Sequence, residues 1–299
     1  MMDTLTAVRI AAIVVSALLY MLFDIFNNRN VPSLFAYGTL VLGLVLTLLY
    51  GDIGVITESL LIAVAVGALG YIIYRIGQIG AADVIEFAAI SLMMPIMPNN
   101  NSLFGVHPQF GIPLIISVFM ASGVFALAMI PFYYIPRAKM VLKRDLSSFI
   151  DQKDKFKGFA IFVAYMAFAA FAQLEIGLSP IGWALVLTLA ISSVETTVFE
   201  RPLIDSMVKR IPVSMFEEGD IVATNMMSGG EISRVRRHVR EFDRLMTGKL
   251  IAQMKKAKIK EKFPVYRNAM PLALPIFLGT VVSLLFGNIM LAVLSSPLI

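Results

Sequence analysis

The chain has 299 residues, 58% of them hydrophobic and only 15% charged, with a mean hydropathy of +0.82, which is more apolar than a soluble globular surface allows. Cysteine is absent, and the only two histidines, His107 and His238, lie far apart in sequence. Disulfides, thiolate metal sites and cysteine catalysis are therefore excluded, and a zinc protease or a histidine-based triad is disfavoured.

Windows of roughly 17 to 25 apolar residues, long enough to cross about 30 Å of hydrocarbon, recur along the chain. Eight spans are predicted, at 5–26, 33–50, 54–75, 80–98, 111–135, 158–174, 181–199 and 269–295. The first is not read as a secretory signal: Asp3 and Arg9 precede or enter it, no small-residue cleavage site follows, and Asp24 closes its end. Short loops join the first five spans into a compact core over 1–135, and the mixed apolar and basic stretch 136–157 is expected at the membrane interface, within a 136–200 segment that adds two further spans. From 201 to 268 the composition becomes that of a small soluble domain. Strands are expected around the turn-like Glu218-Gly219-Asp220, and after Gly229-Gly230 the spacing of Ile232, Val235, Val239, Phe242 and Leu245 predicts an amphipathic helix. Its other face carries Arg234, Arg236, Arg237, Arg240 and Arg244, read either as a membrane-surface or partner-binding face or as a solvated one; no nucleic-acid motif is present. The closing span is placed within 269–299. The expected fold class is an all-α polytopic membrane protein of about eight transmembrane helices, with a small α+β cytoplasmic domain before the last helix.

The net charge is +5, and where the basic residues sit sets the orientation, because cytoplasmic loops hold Lys and Arg in excess. With the N-terminus outside, 24 of the 25 Lys and Arg residues fall in cytoplasmic segments or at their edges, namely 27–32, 76–79 with Arg75 at its border, 136–157 and 200–268. The opposite loops carry Asp52, Glu58, Glu175 and Asn99 to Asn101, and Arg9 is the exception.

Ionisable residues within apolar spans are costly and are functional candidates by default. Asp24 ends the first span and Asp83 opens the fourth, so an orientation derived from Lys and Arg alone brings both carboxylates to the same side and depth. Two carboxylates within about 3 Å of each other cannot both ionise and titrate as a unit. One then acts as general base on water while its protonated partner polarises a carbonyl. The plainer alternative is that Asp83 caps its helix and Asp24 merely ends one. Glu86, one turn beyond Asp83, is read either as a supporting residue or as an interfacial polar group.

Gly80-Ala81-Ala82-Asp83 resembles the glycine-x-glycine-aspartate signature of membrane-embedded aspartyl proteases, in the looser form of the archaeal type IV prepilin and preflagellin (pre-archaellin) peptidases. Asp24 followed by Asn27-Asn28-Arg29-Asn30-Val31-Pro32 resembles that family's first aspartate with its short polar loop, and two spans intervene between the aspartates, as in the family. The resemblance covers residues 5–135 in detail. It implies an aspartic endopeptidase with Asp24 and Asp83 as catalytic pair and Gly80, Ala81, Ala82 and Glu86 in support, needing no cofactor and no metal. Small residues beside Asp83 let backbone approach it closely. The implied partners are membrane-anchored pilin or archaellin precursors, cut at the cytoplasmic face between a short basic leader and the hydrophobic helix, and the implied source is archaeal. Ala82 stands where the signature has its second glycine, and the zinc-binding cysteines of many bacterial members are missing, so their N-methyltransferase activity is not expected.

Two readings from other classes stand beside it. Glu195, among Ser192, Ser193, Thr196 and Thr197, suggests a polar path through a small transporter or channel, although no inverted repeat or paired broken helices accompany it. A non-catalytic pilus or archaellum assembly factor retaining the fold is the other. Pro271-Leu272-Ala273-Leu274-Pro275 does not reproduce the Pro-Ala-Leu order of presenilin relatives, and no Lys sits in a span near a serine, as a serine-lysine signal peptidase requires.

Overall fold

The computed structural model describes residues 4–27, 30–76, 79–96, 113–142, 150–239, 242–257, 259, 261–267 and 270–287. Arg29, Asn99 to Asn101, His107, Arg240 and the stretch 288–295 lie outside the described residues. The protein is predominantly helical: α1 (Thr4–Phe26), α2 (Ser33–Leu48), α3 (Ile53–Ile76), α4 (Ala81–Met93), α5 (Leu114–Leu142), α6 (Gln152–Ile176), α7 (Pro180–Val198), α8 (Glu200–Met207), α9 (Gly229–His238), α10 (Gly248–Lys256) and α11 (Ala273–Phe286), with strands β1 (Val208–Pro212) and β2 (Lys262–Tyr266).

Among the described residues, α1, α3, α5 and α6 hold windows long and apolar enough to cross a membrane, and α7 with α8 makes a fifth if that pair, bent by 76°, is one span. Ile53, Phe132 and Leu174 on these helices are each at least 80% exposed, the pattern of side chains that face hydrocarbon and not water. Elsewhere at the eight expected spans the helices are short. α4 has 13 residues, α2 has 16 and the described part of α11 has 14, against about 20 for a full crossing. α4 ends early because Met94 turns extended and Pro95 follows, after which Ile96 bridges to Pro113. α5 runs past its expected end at 135, through Pro131 and Pro136; in apolar surroundings a helix keeps its backbone bonded internally wherever neighbours allow.

α4 is the central strut. Every residue from Glu86 to Met93 is buried, and α2 and α3 pack along it. Small residues permit the approach: a Cβ on Gly43 would meet Leu92 Cβ at 3.0 Å, and one on Gly70 would meet Val84 Cγ1 at 2.6 Å. Thr47 Oγ1 donates to Leu92 O at 2.6 Å, satisfying a carbonyl at the C-terminal end of α4. α11 packs on α5 and α1, with Gly279 against Ser122. The charge exception is also explained. Arg9 is 1% exposed, donates from Nη2 to Leu46 O at 2.5 Å and lies 3.0 Å from the centre of the Tyr50 ring. It is a buried cation at the C-terminal end of α2, where the helix dipole favours positive charge, and not a loop charge.

The part expected to be soluble has its own core, with Ile211, Val213, Phe216, Val222, Val235, Met246, Met254, Phe263 and Val265 all buried. β1 pairs antiparallel with β2, Ile211 opposite Phe263. Gly219 turns at φ +95° within the expected Glu218-Gly219-Asp220 turn, a region open to glycine at little cost. The expected helix stops at His238, earlier than its apolar spacing suggested: Val239 is extended, and Leu245 lies in a bridge to Ile221. Arg234, Arg236 and Arg237 are exposed, and Arg234 pairs with Glu261 at 3.2 Å. α8 packs on α5, so residues 200–207 belong with the helical part.

Candidate functional site

α1 is antiparallel to α2 (Tyr20 near Thr39, Arg9 near Leu46), α2 is parallel to α4 (Thr47 near Leu92), and α3 is antiparallel to α4 (Gly70 near Val84). The C-terminal end of α1 and the N-terminal end of α4 therefore share one end of the bundle, and the soluble part enters α11 there. Asp24 lies in the last turn of α1 and Asp83 in the first turn of α4, each half-buried and within electrostatic range of the other.

Asp83 occupies the third position of α4, and its Oδ2 accepts the Gly80 amide at 2.9 Å. The helix-cap role raised for this residue is thus present, and it occupies Oδ2 and not Oδ1. A Cβ on Gly80 would come 3.0 Å from that oxygen, so glycine at this position keeps the carboxylate uncrowded. Ala82 packs against the cluster of Tyr20, Ala36 and Ala273, while Ala81 is exposed. Asp24 Oδ2 accepts the Ala273 amide at 3.2 Å, from the first turn of α11.

Glu86 lies beneath the two aspartates, within electrostatic range of both. It is 1% exposed, and among the described residues neither carboxylate oxygen meets a protein hydrogen-bond partner. Above it Thr39 Oγ1 donates to Ala36 O at 2.7 Å, which leaves the Tyr20 phenol to donate to Thr39 at 3.0 Å. Tyr20 is fully buried, and both Asp83 and Glu86 act on it electrostatically. Tyr20 and Ala273 were not singled out by sequence reasoning. Tyr20 carried a signal, its i, i+4 spacing to Asp24 on one helix face; the Ala273 contact joins residues 249 apart and has no local signature.

Among the described residues no group of three His, Cys, Asp or Glu side chains is placed to hold a metal ion. The Glu195 neighbourhood is a packing arrangement: Thr196 donates to Ser192 O and Thr197 to Ser193 O, each at 2.8 Å, and the Ser193 and Tyr165 hydroxyls meet at 3.1 Å between α7 and α6. Those hydroxyls are engaged with their own helix or its neighbour.

No protein-family model matches the chain, and neither a curated protein nor a solved structure matches it.

Proposed function

We propose that the protein is a membrane aspartic endopeptidase in which Asp24 and Asp83 activate water. The carrying observation is that two carboxylates 59 residues apart in the chain lie half-buried at one end of an apolar helical bundle, within electrostatic range of each other. Peptide hydrolysis by such a pair needs neither thiol nor histidine. One aspartate removes a proton from water while the other, protonated, hydrogen-bonds the scissile carbonyl and stabilises the oxyanion as it forms. The substrates are type IV pilin-like or archaellin precursors, cut between basic leader and hydrophobic helix. The topology has eight spans with the N-terminus outside and the site at the cytoplasmic face, the end from which the Lys- and Arg-rich segments emerge.

The test uses membranes containing the native chain, Asp24→Asn, Asp83→Asn and, as control, Asp52→Asn, with a panel of archaellin and pilin precursors. Leader removal by the native chain and Asp52→Asn, and by neither of the other two at equal expression, is the expected result. Undiminished cleavage by Asp24→Asn or Asp83→Asn rules the mechanism out.

A further inference from the structure

A carboxylate in the last turn of a helix faces the negative end of that helix's dipole. Asp24 is in this position on α1. What it meets is the opposite end of another helix: Ala273 is the first residue of α11, and its amide, one of the donors a helix cannot satisfy internally, reaches Asp24 Oδ2 at 3.2 Å. The orientation of the carboxylate therefore depends on where α11 starts.

Three residues upstream, the Met270 amide donates to the Tyr134 hydroxyl in the C-terminal third of α5. Both ends of this contact are buried, Tyr134 at 3% and Met270 at 9% exposure, in one cluster with Leu203 of α8. Further upstream, Arg267 closes the soluble part: it donates to Asp220 Oδ2 at 2.9 Å and Met215 O at 2.6 Å, and pairs with Glu217 at 3.2 Å. The Met270–Ala273 segment is thus held between a phenol on α5 and the Asp24 carboxylate on α1.

We propose that Tyr134 is a positioning residue for Asp24, acting through the Met270 amide and the start of α11. Its kinetic consequence rests on the peptidase reading, whereas its structural part does not. Tyr134→Phe keeps the ring and deletes the acceptor. The expected result is a kcat for leader removal lower by roughly ten- to hundredfold, the scale of small misplacements at a reacting centre, with KM unchanged. Tyr165→Phe, which loses a hydroxyl contact remote from Asp24, leaves kcat unchanged. In parallel, hydrogen exchange of the peptide covering residues 270–274 is followed in nanodiscs: slow in the native chain and faster in Tyr134→Phe, with exchange in α3 and α6 unaltered. Native kcat in Tyr134→Phe overturns the proposal, as does rapid exchange of 270–274 in the native chain. If no precursor is cleaved by the native chain, the peptidase reading fails and exchange alone decides the clamp. If Tyr134→Phe does not fold, Asp24→Ala replaces it in the exchange experiment, where release at Ala273 must also loosen Met270; unchanged exchange there overturns the proposal.

Discussion

Glu86 lies 1% exposed on the central helix, and among the described residues neither of its oxygens is bonded to a protein group. A polar group buried without a partner costs about 1–3 kcal/mol in mutational series, and more if charged. Replacing it with leucine, similar in length, removes that cost. Glu86→Leu is therefore expected to stabilise the fold by about 2 kcal/mol, equivalent to a rise in Tm of about 3 °C at an unfolding entropy of about 2.1 cal/mol/K per residue. Glu86→Gln keeps a buried polar group and is expected to gain less stability than Glu86→Leu. Thermal unfolding of the three proteins in one detergent, followed by intrinsic fluorescence, compares them directly. Loss of 1 kcal/mol or more in Glu86→Leu, on the order of a net hydrogen bond, would show that the carboxyl is well satisfied in the folded protein and refute the reasoning. Stabilisation accompanied by weaker leader cleavage would mark Glu86 as a residue kept for activity at the expense of stability.

Arg9→Ala is expected to destabilise by about 2–4 kcal/mol, since it strips a guanidinium from the Tyr50 face and from Leu46 O at once. Arg9→Lys should recover less than half of that loss, because an ammonium does not reproduce the planar stack; the same unfolding assay measures both. A Cβ on Gly279 would fall 2.6 Å from the Ser122 amide, whereas one on Gly67 meets nothing within 4 Å. Gly279→Ala should accordingly cost about 1–3 kcal/mol, and Gly67→Ala should stabilise by about 0.5–1 kcal/mol. In the soluble part, the Ser228 amide and then Arg210 hold the Glu231 carboxyl below its ordinary value of 4.5. A depressed value gives stability that is present above the ordinary value and lost as pH falls through the folded one. Melting of the full chain between about pH 5 and about pH 3 should therefore decline less steeply in Glu231→Gln than in the native chain.

Helices were legible where apolar runs were long, because a bilayer requires the backbone to satisfy itself. Their ends were less so. Pro95 cut the fourth run to 13 residues, while Pro131 and Pro136 failed to stop the fifth, and which outcome a proline produces depends on neighbours that a linear pattern does not contain. In the soluble part, the pairing of β1 with β2 joins Val208 to Tyr266 across the whole intervening stretch, so the second strand had no local signal. Val239 and Leu245 kept the expected burial without the expected helix, since burial constrains a side chain and not the backbone that carries it. At the site, the two helices that intervene between them place Asp24 and Asp83 at one end of the bundle. The bond from Ala273 was out of reach because it depends on how α11 docks. Arg9 was the exception in the charge count because composition does not distinguish a solvated cation from one stacked inside the bundle.

The contact between Asp24 and Ala273 spans 249 residues and bears on biosynthesis. The ribosome delivers Asp24 early and α11 much later, so the carboxylate acquires this backbone donor only after the intervening residues have emerged. A chain stalled or cut before that point carries both aspartates without the amide that orients one of them. Docking of α11 against α5 and α1 is the step at which Asp24 gains that donor.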